Sequence, residues 1–154
     1  MSETTWRNGQ SGDWAEPSDW MPGTVPNSPD AKVTIAVEGT YDVTIAGGEA
    51  ETVGSLDLAA ANASLLVAGT LALGMTTLDA GTLDLTGTLA GGTIVAAGGT
   101  FAANGGTLFD VAVIGDLVDA SSYSGLSVIG GLTGGGTLDL TAYDDTLAAA
   151  SAET

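Results

Sequence analysis

The 154-residue chain has no cysteine and no histidine, and its only basic side chains are Arg7 and Lys32. Without cysteine there are no disulfides and no thiolate metal sites. Without histidine the commonest general base and the commonest zinc ligand are missing. Against two basic residues stand 19 acidic ones, for a net charge of −17. That charge repels phosphate backbones and excludes a nucleic-acid partner. It disfavours anionic lipids and acidic polysaccharides in the same way. No apolar run reaches the roughly 18 residues of a membrane span. The opening Met1-Ser2-Glu3-Thr4-Thr5-Trp6 lacks the basic start and apolar stretch of a signal peptide. Proline is scarce, and all four (Pro17, Pro22, Pro26, Pro29) come before the first strand-like stretch at Val33.

Glycine is plentiful, at 24 of 154 residues, but it lacks the strict three-residue period of collagen. Leu, Val, Ile and Thr fill the gaps between glycines and suit strands. From Thr70 to Thr107 one short phrase recurs: GTLALG, GTLDLTG, GTLAGG, GTIVAAGG, GTFAANGG, GTLFD. Threonines recur through it as Thr70, Thr76, Thr82, Thr88, Thr93, Thr100 and Thr107. Each phrase reads as one strand plus one corner. Three steps make a turn, carrying Thr70 to Thr88 and Thr88 to Thr107. The expected fold is therefore all-β, a right-handed parallel β-solenoid with about 18–20 residues per turn.

In Thr82-Leu83-Asp84-Leu85 the leucines share the inner face while Thr82 and Asp84 point out. The same phase puts Leu56, Leu58, Leu71, Leu73, Leu138 and Leu140 in the core, with Leu89, Ile94 and Phe101 stacked on them. Residues 1–32 differ from the rest. They hold every tryptophan (Trp6, Trp14, Trp20) and read as an N-terminal cap sealing the first turn, with the three indoles as its core. Residues 33–141 read as the rungs, with a longer corner over 116–125. Residues 142–154 read as an Ala- and acid-rich tail that frays, or that is truncated from a longer chain or pairs its open end with a partner. Tyr41, Tyr123 and Tyr143 are scattered and expected to be half-buried.

The opening TTWRNGQSGDWAEPSDWMPGTVPNSPDAKVTI resembles the start of β-strand-repeat proteins of the autotransporter-passenger and large secreted adhesin kind. The shared pattern stands here as Trp6, Gly9, Gly12, Trp14, Trp20, Gly23, Pro26, Asp30, Ala31 and Ile35, with Gln10-Ser11 altering the usual spacing before Gly12. The later GGTLFDVAVIGDLVDASSYSGLSVIGGLTGGGTLDL resembles their rung repeat. The resemblance implies a secreted or cell-surface protein of a Gram-negative bacterium. It says little of function, because such scaffolds carry adhesins, proteases, lyases and plain spacers.

Carboxylates are the only candidates for chemistry. Asp116 with Asp119, Asp144 with Asp145, and the outward Asp57, Asp84 and Asp139 are candidate pairs of the kind glycoside hydrolysis uses. The simpler reading is a solvated polar face. Calcium suits such oxygen ligands, with Asp116, Asp119, Asp144 and Asp145 as candidates, although no Gly-Gly-X-Gly-X-Asp nonapeptide occurs. No other cofactor is expected. The tryptophans can be read as a sugar-stacking platform or as cap core, and core is the reading preferred here. The Thr ladder lacks the paired outward threonines of an ice-binding face, with Thr86-Gly87-Thr88 its only Thr-X-Thr. The expectation is a non-catalytic structural or adhesive module that self-associates end to end. The alternative is a carbohydrate-binding or carbohydrate-active module on the same scaffold.

Overall fold

The computed structural model describes residues 2–115, 117–119, 125–135, 138–139 and 146–150. The cap holds β1 (Ser2–Trp6), β2 (Gly12–Asp13) and β3 (Trp20–Met21). Long and short strands then alternate: β4 (Ser28–Ile35), β5 (Tyr41–Ile45), β6 (Ala50–Leu58), β7 (Ala63–Val67), β8 (Thr70–Leu78) and β9 (Thr82–Leu85). Next come β10 (Thr88–Ala90) and β11 (Thr93–Ala96), which share one rung, then β12 (Thr100–Ala103) and β13 (Thr107–Ile114). The last are β14 (Leu117–Asp119), β15 (Gly125–Gly135), β16 (Leu138–Asp139) and β17 (Thr146–Ala150).

The long strands stack as one sheet in the order β17-β15-β13-β10-β8-β6-β4-β1-β3, with β11 also joining β8 to β13. The short ones stack as β16-β14-β12-β9-β7-β5-β2. Every described pairing is parallel except β1 with β3. The chain is a parallel β-solenoid.

In most coils two sides belong to one bent strand, rather than to two separate strand-and-corner units; the β10–β11 rung keeps them separate. In β8, Leu71, Leu73, Thr76 and Leu78 face in, while the adjacent Gly74 and Met75 both face out. The alternation slips by one there, and the strand turns a corner without ending. A side chain cannot fit at this bend. A Cβ on Gly74 would collide with the carbonyl oxygen of Gly54, and one on Gly92 with those of Leu73 and Gly74. The Gly-Thr phrase marks the other corner. Thr88 N–H donates to the Gly69 carbonyl (2.9 Å) and Thr107 N–H to that of Gly87 (2.8 Å), so one corner rests on the one before.

Identical residues stack because the period is nearly constant. Thr70 pairs with Thr88, Thr88 with Thr107, and Thr107 with Ser127. The period expected from the threonine ladder therefore holds in this region. Elsewhere the rung length follows the loops. The coil that carries Val33 to Leu56 is longer, and the one that carries Phe101 to Leu117 is shorter.

Inside runs a column of apolar side chains. Leu56, Leu58, Leu71, Leu73, Leu83, Leu85, Leu89, Ile94 and Phe101 are all buried, as their phase predicts. The side chain of Leu138 and all of Leu140 lie outside the described residues. Tyr41 is buried in the core rather than half-buried, its hydroxyl donating to the Val37 carbonyl at 2.8 Å. Burial raises its pKa above the usual phenol value. Among the described residues three polar side chains are also buried, Thr4 in β1 and Glu51 and Thr76 in the coils.

Three stretches differ in detail from their sequence reading. Segment 1–32 places β1 in the long-strand sheet, with Thr4 beside Val33, and contributes the first part of β4. The 116–125 stretch carries β14, in register with Phe101–Ala103. In the 142–154 stretch, β17 pairs with β15 as a further rung.

Candidate functional site

The cap is built on its three tryptophans, all fully buried. Trp20 stands edge-on to both others, with ring centroids 4.8 Å from Trp6 at 87° and 4.8 Å from Trp14 at 68°. Such T-shaped contacts set a positive ring edge against a negative ring face. Each indole N–H finds a carbonyl: Trp6 donates to Gln10 (3.2 Å), Trp14 to Pro26 (3.1 Å) and Trp20 to the Trp14 backbone (2.7 Å). The Arg7 guanidinium donates to the Trp20 carbonyl at 2.9 Å. The rings therefore form a plug. With no exposed ring face, they do not make a stacking platform.

The most varied chemistry lies outside, on the limb of the long-strand sheet beyond the bend. Parallel register sets its outward residues in two columns. Lys32, Ser55, Met75, Thr93 and Ala112 form one. Thr34, Asp57, Thr77, Val95 and Ile114 form the other. Their charged members, Lys32 and Asp57, lie on the rungs nearer the cap and their last members are apolar; Met75 and Ile114 are each half exposed, at 50%. Around the first rungs lies a recess of about 400 Å³, bordered by Glu3, Lys32, Thr34, Ser55, Asp57, Met75, Thr77 and Asp79.

Asp57 and Asp79 meet there although a full turn of chain separates them. Asp57 pairs with Thr77, and Asp79 comes directly after the end of β8, so one turn of the coil closes the gap. Burial raises the Asp57 pKa above the ordinary aspartate value. The Asp79 charge and a carboxyl–carboxyl hydrogen bond to Asp79 raise it further. Asp57 Oδ1 has no partner and is shielded from solvent.

Of the other sequence candidates, only Asp84 has a described side chain. Asp84 accepts a hydrogen bond from the Asn104 amide on the next rung. Asp116, Asp144 and Asp145 lie outside the described residues. So do the side chains of Asp119 and Asp139, whose backbones are in β14 and β16. Tyr123 and Tyr143 are likewise outside. Among the described residues no group of three or more acidic side chains is placed to hold a metal ion. Asp79 was missed in the sequence because it follows a strand. The coil period, applied to Asp57, leads to its neighbourhood. No protein-family model, curated protein or solved structure matches this chain.

Proposed function

We propose that the chain is a non-catalytic structural and adhesive module of a secreted or surface-associated bacterial protein. In this reading it is a capped rod that self-associates along its axis. The observation that supports it is the parallel stacking of successive rungs in both sheets above a tryptophan-plugged cap. Each rung presents its backbone edge to the next, and the ladder extends wherever another rung, from this chain or a second copy, is supplied. The cap covers the N-terminal face, so growth proceeds from the opposite face. The resemblance of the opening segment to secreted adhesins supports the surface location. A net charge of −17 keeps rods apart sideways at low salt. Sodium chloride or calcium should promote assembly by screening that charge. Light scattering against both salts tests the proposal, and a protein that stays monomeric throughout refutes it.

A second reading, binding of a neutral glycan, is favoured by the recess over Lys32, Ser55, Asp57 and Asp79, which sets an amine, a hydroxyl and carboxyls along three rungs. Titration calorimetry with neutral oligosaccharides tests it. Binding that Asp79→Asn removes supports this reading, and heat-silent titrations across the set dismiss it.

A further inference from the structure

The interior column Glu51–Leu71–Leu89–Leu108 runs through four successive rungs, and its first member is a carboxylic acid. Glu51 is only 7% exposed, while the three leucines are fully buried. Its Oε2 is shielded from solvent and has no hydrogen-bond partner. A charged carboxylate is costly in such a place, and a protonated one much less so.

The position is where the cap meets the first full coil. The next residue, Thr52, donates its N–H to the Asn27 side chain at 2.9 Å, which holds loop 22–27 against the start of β6. The neighbouring Pro26 carbonyl accepts the Trp14 indole N–H. On the other side, Trp14 N–H donates to the Thr44 carbonyl at 2.8 Å, tying the cap to β5. Glu51 thus stands beside the bonds that dock the tryptophan plug.

We propose that Glu51 is a proton-operated lock on the cap: protonated, it lets the cap seat on the first coil, and ionised, it loosens that joint.

The charged groups acting on Glu51 are both anionic. Glu49 lies in the turn before β6, with its Oε2 accepting from Ala46 N–H, and Asp13 lies in β2. From β8 the register neighbour is Leu71, and the cap loop meets the start of β6 through Asn27, neither of which brings charge. Burial first, then Glu49 and Asp13, raise the Glu51 pKa above the ordinary glutamate value. A raised acid pKa in the folded state means that the folded cap holds the proton more tightly than the open one. The stabilisation is complete below the unfolded pKa and is lost as pH rises through the folded value. Acid closes the joint, and neutral pH eases it. This device goes beyond the rod reading and holds whether or not the rod self-associates.

All three tryptophans lie in the cap, and each indole N–H is bonded to a cap carbonyl. Their hydrogen exchange, followed by NMR and divided by the intrinsic rate at each pH, therefore reports cap opening alone. Between about pH 4 and pH 7 the protection of the three indoles should fall several-fold in the native protein. In Glu51→Gln it should stay high and nearly flat. Glu51→Met, of similar volume and uncharged, should behave likewise and serves if the glutamine variant does not fold. Asp57→Asn removes the other carboxyl raised among the described residues and should leave the native profile unchanged. Glu51 variants that superimpose on the native profile overturn the proposal. So does native protection that is flat with pH, or a pH dependence that vanishes in Asp57→Asn.

Discussion

Replacing Thr76 by valine should stabilise the protein. Thr76 is fully buried, and its hydroxyl oxygen has no hydrogen-bond partner. It stands in the interior column Leu56–Thr76–Ile94–Val113, with apolar side chains on the rungs before and after. Valine matches threonine in shape and strand preference, so the exchange changes one atom's polarity and little else. A buried hydroxyl without a partner costs about 1–3 kcal/mol, and replacing it by a methyl group recovers most of that. The expected gain is therefore about 1–2 kcal/mol, or a rise of roughly 2–8 °C in Tm for a chain of this size. Urea unfolding followed by circular dichroism measures it. The midpoint should rise while the slope stays fixed, because the surface exposed on unfolding does not change. Thr82→Val, on the outer side of β9, is the control and should stay within about ±0.5 kcal/mol. If Thr76→Val lowers the midpoint, the Thr76 hydroxyl has a partner inside the coil and the reasoning fails.

Leu83→Asp should abolish cooperative folding of the middle rungs, since it buries an unpaired charge at a position with no exposure, at a cost of several kcal/mol. A strand-type dichroism spectrum and urea midpoint like the native ones would contradict the interior placement. Trp14→Ala should cost about 3–5 kcal/mol by emptying the plug and freeing the Pro26 carbonyl. A urea midpoint close to native would show that the plug does not hold the cap. Asp57 has a folded pKa raised by burial and by Asp79. Its contribution to stability is therefore complete below the unfolded aspartate value, about pH 3.9, and is lost as pH rises through the folded pKa. Asp57→Asn should flatten the pH dependence of the thermal midpoint in that window, and a native-like profile would mean that the two carboxyls do not interact.

Much of the fold was legible because a solenoid is nearly one-dimensional. A constant period places each residue over its counterpart one turn earlier, so a pattern along the chain becomes a column in space. The Thr70–Thr88–Thr107 ladder and the buried Leu83, Leu85 and Phe101 follow from that period alone. The cap was legible as a break in composition, and its three tryptophans as something to be hidden.

What period and alternation could not supply is the phase slip at each bend. Counted from Leu71 and Leu73, position 76 alternates outward, and only the two adjacent outward residues Gly74 and Met75 bring Thr76 inside. Glu51 shares its phase with the buried Val53, but an acid in an apolar phase reads as solvent-facing until the cap is seen to cover it. The Asp57–Asp79 contact required the rung length at that one turn, which the intervening corners set. Local sequence determined the strands, their inner faces and the stacking axis, because these depend on alternation and repeat length. Tertiary structure decided which polar groups become neighbours and which are buried, because that depends on how the coil turns at each corner and where the cap comes to rest.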